Sequence, residues 1–234
     1  MIKWIAVIIL IIIFIIGLII IIRDWKKHQE KLEFTSKFIN IFREFGNSLF
    51  NNQFDQEKYQ WLKMKSHKMQ SLSGEFGIAR AFKPAGANYI FKNYQIIFNG
   101  ISEVKDIYQR ITGTFGGLSF EWQMLREAIG RIDDVLLSYF GYLETQSENK
   151  LKAIKNPLNW FREGVQFIVT LPLLLIYWSG IINYGVYNKV YNNIIVKLIT
   201  LIVSIIAFIS SIITIVTGYV PFVDYINNLI KNFN

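Results

Sequence analysis

Residues 4–22 read WIAVIILIIIFIIGLIIII, and this run decides the class of the protein. It is apolar throughout apart from Gly17, and its length matches the ~20 helical residues that cross the hydrocarbon core of a bilayer. A cleaved signal peptide has a shorter apolar region followed by small residues. Arg23 and Asp24 follow this run instead. We therefore predict a retained transmembrane helix over residues 1–22.

Two later segments have the same character, residues 165–183 and residues 194–218. The second is interrupted by Lys197 near one end, where a lysine amine can reach the membrane interface. The sequence between them, residues 183–193, is rich in Asn, Tyr and Gly and predicts a tight loop. Residues 164–218 are therefore expected to form a transmembrane helical hairpin.

The composition of the chain agrees with a membrane protein. Of its 234 residues, 52% are hydrophobic and 18% are charged, against about a quarter charged in soluble domains. The absence of cysteine excludes disulfides and thiolate metal sites, and two isolated histidines leave little material for a metal centre. Asp133 and Asp134 are expected to face solvent, and no catalytic grouping accompanies them. The sequence thus supports neither an enzyme nor a cofactor.

Lysine and arginine near the helix ends set the expected orientation, because they accumulate on the cytoplasmic side. Eight of them lie within residues 23–163, close to the end of the first span or the start of the second. The loop of the hairpin carries only Lys189. We expect an external N-terminus, a cytoplasmic domain over residues 23–163 and an internal C-terminus. The eight residues are Arg23, Lys26, Lys27, Lys31, Lys150, Lys152, Lys155 and Arg162.

The domain between the spans shows helical periodicity. Apolar residues recur at spacings of three and four over residues 90–111 and again over residues 118–143, which is typical of packed helices. A third pattern covers residues 34–49 and is expected to continue from the first span, because no Pro or Gly lies between Ile22 and Phe45; residues 55–72 form a weaker fourth. Alternating strand patterns are absent. The chain is therefore predicted to be an all-α membrane protein with three spans and a cytoplasmic helical bundle inserted between the first two.

The C-terminal residues 219–234 show a different pattern. After Pro221, apolar residues lie on one helical face opposite Asp and Asn. This pattern predicts a short amphipathic helix along the inner membrane interface, or one packed onto the bundle.

Small and hydroxylated residues form one stripe along the third span. The stripe predicts either close helix packing, since small residues let backbones approach, or the lining of a pore shared by several copies of the chain. Its members, at alternating spacings of three and four, are Lys197, Thr200, Ser204, Ala207, Ser211, Thr214 and Gly218.

Positive charge is concentrated in residues 58–92, which hold seven basic residues and one acidic residue, Glu75. Aromatic residues and glycines are interleaved with them, and residues 79–84 are expected to lie in a loop. Basic groups neutralise phosphates and aromatic rings stack on bases, so a nucleotide or oligonucleotide is one expected ligand. Anionic lipid headgroups or a solvated charge cluster are the alternatives. The basic residues are Lys58, Lys63, Lys65, Lys68, Arg80, Lys83 and Lys92.

The layout of a cytoplasmic domain joined to a few spans resembles that of small membrane effectors of bacterial antiphage systems. The resemblance covers the layout and no diagnostic motif, and it implies a nucleotide or oligonucleotide ligand that controls membrane permeability. Our leading interpretation is a homo-oligomeric channel or membrane-perturbing effector gated by the cytoplasmic bundle. The alternative is a non-conducting membrane scaffold whose bundle binds a protein partner.

Overall fold

The computed structural model is mostly helical and divides into two compact units. The membrane unit comprises residues 1–26 and 149–234, and the helical unit comprises residues 27–148. The described residues are 2–83, 88–113, 119–191, 193–199, 201–203, 205–206, 209–210 and 213.

The first helix, α1, extends over Ile2–Phe50 as one element of 49 residues. This confirms that the helix of the first apolar run continues beyond Ile22, because no Pro or Gly interrupts its backbone hydrogen bonds until Gly46. It ends where Asn52 adopts a positive φ of 56°, a conformation that Asn tolerates better than most residues.

The helical unit packs four helical segments around one core. The second half of α1 packs with α2 (Gln56–Ser73), α3 (Ile96–Gly113) and α4 (Ser119–Ile154). Asp55 caps α2 by accepting a hydrogen bond of 3.0 Å from the backbone N–H of Lys58. Fully buried side chains come from all four segments and include Phe38, Phe45, Leu62, Met69, Ile97, Ile101, Leu125, Ile132 and Leu136.

Two features of this unit correct the sequence prediction. Residues 78–95 contain an antiparallel hairpin, β1 (Ile78–Phe82) paired with β2 (Phe91–Gln95), so the expectation of a purely helical chain with a loop here is wrong. Helix α3 accordingly begins at Ile96 and not near residue 90. Asp133 is also not simply solvated, because Arg43 donates to both of its oxygens at 2.8 and 3.0 Å.

The buried Gln70 connects the hairpin to the helices. Its Oε1 accepts hydrogen bonds from the backbone N–H groups of Ile97 (3.0 Å) and Phe98 (3.3 Å), two donors of the first turn of α3 that have no partner within that helix. Its Nε2 donates to the carbonyl oxygen of Gly77, directly before β1, at 2.9 Å. One side chain thereby fixes both the start of α3 and the base of the hairpin.

The membrane unit contains α1 up to Lys26, α5 (Pro157–Trp178) and α6 (Tyr184–Tyr191). Asn156 caps α5 and Pro157 is its first residue, as the sequence indicates. The second apolar helix thus begins eight residues earlier than the predicted span 165–183. The segment 183–193, predicted to be a tight loop, contains α6 instead.

Two helices are long and apolar enough to cross a membrane, α1 and α5. The third predicted span is helical at residues 194–199 and 201–203, after a cap in which Asn193 accepts from the N–H of Ile195 at 2.8 Å. Most of its remainder and the predicted amphipathic helix at residues 219–234 lie outside the described residues.

Candidate functional site

The predicted pore stripe is described at one position. Lys197 lies on the exposed surface of the helical residues 194–199. The other members, Thr200, Ser204, Ala207, Ser211, Thr214 and Gly218, lie outside the described residues. The described residues of the candidate membrane site lie on α1, α5 and α6.

Helices α1 and α5 approach each other through two glycines. A Cβ atom on Gly17 would overlap the carbonyl oxygen of Trp160, and one on Gly164 would overlap the carbonyl oxygen of Ile13. Phe14 packs beside this crossing on Phe161, with 5.3 Å between ring centroids. Such close contact of backbones is typical of helix pairs in membranes, where small residues at the interface replace the hydrophobic driving force.

The same contacts set the register of the pair. Gly17 lies beside Trp160 and Gly164 lies beside Ile13, so residues 160–164 of α5 lie next to residues 13–17 of α1 where the two helices cross. That level is the middle of the apolar run. The sequence places Arg162 and Glu163 at the cytoplasmic edge of the second span. In the structure they lie beside residues 13–17 of α1. At 1.5 Å per residue, this position is roughly 12 Å from Arg23 along the axis of α1.

Arg162 and Glu163 form an ion pair at this level. Nη2 of Arg162 donates to Oε1 of Glu163 at 2.8 Å, while 53% of the Arg162 side chain and 21% of the Glu163 side chain remain exposed. Sequence reasoning missed the pair because two charges beside an apolar segment are typical of an interface. Only the contacts with α1 place the pair beside the middle of its apolar run.

Helix α6 returns along α5 towards this ion pair. Tyr177 near the end of α5 stacks on Tyr187, which stacks in turn on Tyr191, with centroid separations of 5.3 and 5.9 Å. Tyr191 interacts electrostatically with Glu163 and with Asp24 and Arg23. A tyrosine of α6 therefore interacts with charges from both α1 and α5.

The remaining surface of the helix pair is apolar. The exposed side chains of α1 between Ile8 and Ile19 are isoleucines, and Ile168, Leu171 and Leu175 are exposed on α5. Thr170 of α5 is buried and donates to the carbonyl oxygen of Gln166 in its own helix at 2.8 Å. Exposed isoleucine surface beside a glycine crossing is suited to contact with lipid.

The structure divides the predicted anion-binding residues into two groups. The first group, Lys58, Lys63, Lys65 and Lys68, lies on α2. Lys58 is engaged in ion pairs with Asp55 (2.8 Å) and Glu44 (3.5 Å), which raise its pKa. It is therefore a weaker ligand candidate than its neighbours.

The other α2 lysines lie among aromatic rings. The ammonium of Lys63 is 4.8 Å from the ring centre of Phe98 and that of Lys68 is 4.2 Å from the ring centre of Phe34, while Lys65 is exposed. Two lysines of other helices lie over aromatic rings of α2 in the same way. Lys37 lies over Trp61, and Lys105 lies over Tyr59. These cation–π contacts hold the ammonium groups in place and leave their charge uncompensated.

The second group, Arg80, Lys83 and Lys92, lies exposed on the hairpin. The hairpin is fixed to the helices at its base, where the hydroxyl of Tyr94 donates to Glu103 at 2.9 Å. Burial and the Glu103 carboxylate both raise the pKa of Tyr94, so this hydroxyl stays protonated at neutral pH.

The predicted basic segment is therefore two surfaces and not one. Within the described ranges, no three His, Asp or Glu side chains are arranged to hold a metal ion. Comparison of the chain with protein-family models, with curated proteins and with solved structures finds no match.

Proposed function

We propose that the chain is a homo-oligomeric membrane channel or membrane-perturbing effector whose cytoplasmic helical unit senses an anionic ligand, a nucleotide or oligonucleotide. The observation that carries the proposal is the Arg162–Glu163 ion pair, level with the middle of the apolar run of α1 and only partly covered.

A charge at the centre of a bilayer costs at least about 2.5–3.5 kcal/mol, and ionisable residues at that depth face a protein interior or a water-filled cavity. Pairing lowers this cost for Arg162 and Glu163, but half of the arginine side chain has no cover within the described part of one chain. A ring of chains supplies both kinds of cover, since neighbouring copies exclude lipid and enclose water. The ion pair thus favours an oligomer around an aqueous pathway.

The stripe of the third span complements this arrangement. Its hydroxyl groups, from Thr200 to Thr214, are suited to replace part of the hydration shell of an ion if they face the same pathway. In the proposed topology the N-terminus is external, α1 crosses inward, and α5 crosses outward. Residues 179–183 form the external turn, after which α6 re-enters beside α5. The membrane is the bacterial inner membrane, in keeping with the resemblance to antiphage effectors.

The surface of α2 is the proposed ligand site. Lys65 and Lys68 are three residues apart on one face of α2 and both exposed, and the Lys68 ammonium is held over the ring of Phe34. Neighbouring cations of this kind are suited to neutralise phosphates of a nucleotide or oligonucleotide.

Reconstitution of the purified chain tests the channel. We expect a defined oligomer in detergent and discrete conductance in planar bilayers. Glu163→Gln should shift the reversal potential towards anion selectivity and Arg162→Gln should shift it towards cation selectivity, because each removes one sign of charge from the pathway. The matched control Ile168→Leu, on the exposed side of α5, should leave the reversal potential unchanged.

The predicted stripe is tested in the same recording. Ser211→Leu should lower conductance because an apolar side chain on the pathway favours dewetting, whereas Ile205→Leu should not. A monomer, or an oligomer without conductance, would refute the channel and favour the scaffold with a protein partner.

Ligand binding is tested separately on the full chain in detergent. The affinity for a short oligonucleotide should fall with added salt, and Lys65→Ala combined with Lys68→Ala should reduce the logarithmic slope by about 0.7 for each phosphate that these lysines bind. The control is Lys83→Ala combined with Lys92→Ala on the hairpin. An unchanged slope in the α2 variant would exclude α2 as the ligand site.

A further inference from the structure

The hairpin β1–β2 carries a surface that the proposed function does not use. Its connecting end exposes three consecutive large side chains, Tyr89, Ile90 and Phe91, of which Ile90 is 61% exposed. Arg80, Lys83 and Lys92 are exposed around them, and residues 78–95 include no acidic residue. Within the described residues none of these three cations forms an ion pair.

Helices α3 and α4 hold the hairpin through Tyr94 of β2 and through Phe82, the last residue of β1. Phe82 stacks on Tyr94 with ring centroids 4.2 Å apart, and the guanidinium of Arg131 lies 4.4 Å from the centre of the Phe82 ring. Arg131 also donates to Glu103 at 2.9 Å, and Glu103 accepts from Tyr94. The hairpin is therefore anchored to α3 and α4 through Tyr94 and Phe82, and it leaves its three cations and residues 89–91 exposed.

We propose that the connecting end of the hairpin docks on an anionic lipid surface, with Tyr89, Ile90 and Phe91 among the headgroups and the three cations on lipid phosphates. Charge complementarity supports this occupant, because juxtamembrane basic residues are drawn to anionic lipids. An aromatic and an aliphatic side chain side by side suit the membrane interface, where amphipathic rings are enriched.

Nucleic acid fits the hairpin less well. Stacking of bases requires free aromatic faces, but Phe82 is covered by Tyr94 on one side and by the Arg131 guanidinium. Tyr89 packs edge-on against Phe91 at 5.2 Å and 83°. The exposed Ile90 has no stacking face at all, yet it gains free energy from burial among lipids.

The inference rests on the proposed membrane location of the chain, and the experiment separates the two. The chain has no cysteine, so a single engineered cysteine carries an environment-sensitive fluorophore without competing sites. The full-length protein is labelled at Ile90→Cys, at Ile12→Cys on the exposed face of α1, or at Met64→Cys on the exposed face of α2. Each is reconstituted in nanodiscs of phosphatidylcholine alone or with phosphatidylglycerol.

Docking predicts that the label at position 90 reports an apolar environment in anionic nanodiscs and a more aqueous one in neutral nanodiscs. The label at position 12 should report hydrocarbon in both, and the label at position 64 should report water in both. Each cation near an anionic surface raises the ratio of docked to undocked hairpin about fivefold. Arg80→Ala, Lys83→Ala and Lys92→Ala together should therefore lower that ratio by about a hundredfold.

Two results would overturn the inference. A label at position 90 that stays aqueous in both lipid compositions, while position 12 reports hydrocarbon, refutes docking and leaves the membrane location intact. If a short oligonucleotide shields the position 90 label from an aqueous quencher and lipid does not, the hairpin is a nucleic-acid surface. A label at position 12 that is itself aqueous refutes the proposed membrane location.

Discussion

The buried side chain of Gln70 gives the sharpest test of how the helical unit is held together. It makes three hydrogen bonds, two accepted from the first turn of α3 and one donated to Gly77, at 2.9 to 3.3 Å. Replacement by leucine preserves approximate size and removes all three. The N–H of the buried Ile97 and the carbonyl of the buried Gly77 then lose their partners without access to water.

The magnitude follows from the number of groups left without a partner. A buried polar group that loses its partner costs about 1–3 kcal/mol, so two such groups cost roughly 2–6 kcal/mol. The additional apolar burial of leucine offsets about 1 kcal/mol of this. A net loss of roughly 1–5 kcal/mol is a large share of the 5–15 kcal/mol that stabilises a typical domain.

Native-state hydrogen exchange of the full chain in nanodiscs measures this loss at the amides concerned. Gln70→Leu should accelerate exchange at residues 96–98 by at least about fivefold, and Gln70→Glu should do so less, because its carboxylate still accepts at the start of α3. The matched control is Gln109→Leu. Gln109 lies exposed on α3, and its replacement should change the free energy of unfolding by less than about 0.5 kcal/mol. Equal exchange in Gln70→Leu and the wild-type chain would refute the role of this side chain.

Three further predictions concern packing, pH and topology. Gly100→Ala should destabilise the helical unit by about 1–3 kcal/mol in urea unfolding, because its Cβ would lie 2.8 Å from Cδ1 of Ile132. Adding Ile132→Val, which removes that atom, should recover part of the loss, and a double variant as unstable as the single one would contradict this packing. Asp55→Ala should cost about 1 kcal/mol through loss of the α2 cap. The ion pair and N–H bonds of Asp55 lower its pKa, so its charge stabilises the fold above pH ~4 and loses this effect as the pH falls through the depressed folded value. Asp55→Asn keeps the cap without the charge, and its stability relative to the wild-type chain should therefore improve as the pH falls; a constant difference would refute the assignment. In oriented membranes, a cysteine at Ile181, which is 76% exposed, should react with an impermeant external reagent and one at Glu148 should not; the opposite pattern would reverse the topology.

The helices were predictable from sequence wherever burial follows a single period. Leu125, Ile132, Leu136 and Tyr139 are buried as their spacing in α4 indicates. The start of α3 was mistaken because Tyr94 is in phase with its apolar seam although it belongs to β2. The hydrogen bond to Glu103 and the stacking on Phe82 hold Tyr94 in its strand. Neither contact can be recognised from the hydrophobic periodicity of the sequence.

The charged residues of the site show the same limit. The basic composition of residues 58–92 was evident, but its division between α2 and the hairpin depends on where the strands form. Arg162 was placed at the membrane edge from its position before an apolar run. Its depth depends on the contacts of Gly17 and Gly164, which a sequence without its partner helix does not specify.

In the membrane location that we propose, the position of the Arg162–Glu163 pair makes assembly of the chain sensitive to the thickness of the bilayer. The pair lies roughly 12 Å along α1 from Arg23, so the lipid headgroups reach it more readily when acyl chains are short. In thin bilayers Arg162 can extend to phosphate without help from a neighbouring chain, whereas in thick bilayers the pair needs another protein surface or enclosed water. We therefore expect longer acyl chains to strengthen association between copies, and the host's lipid composition to set how readily they assemble.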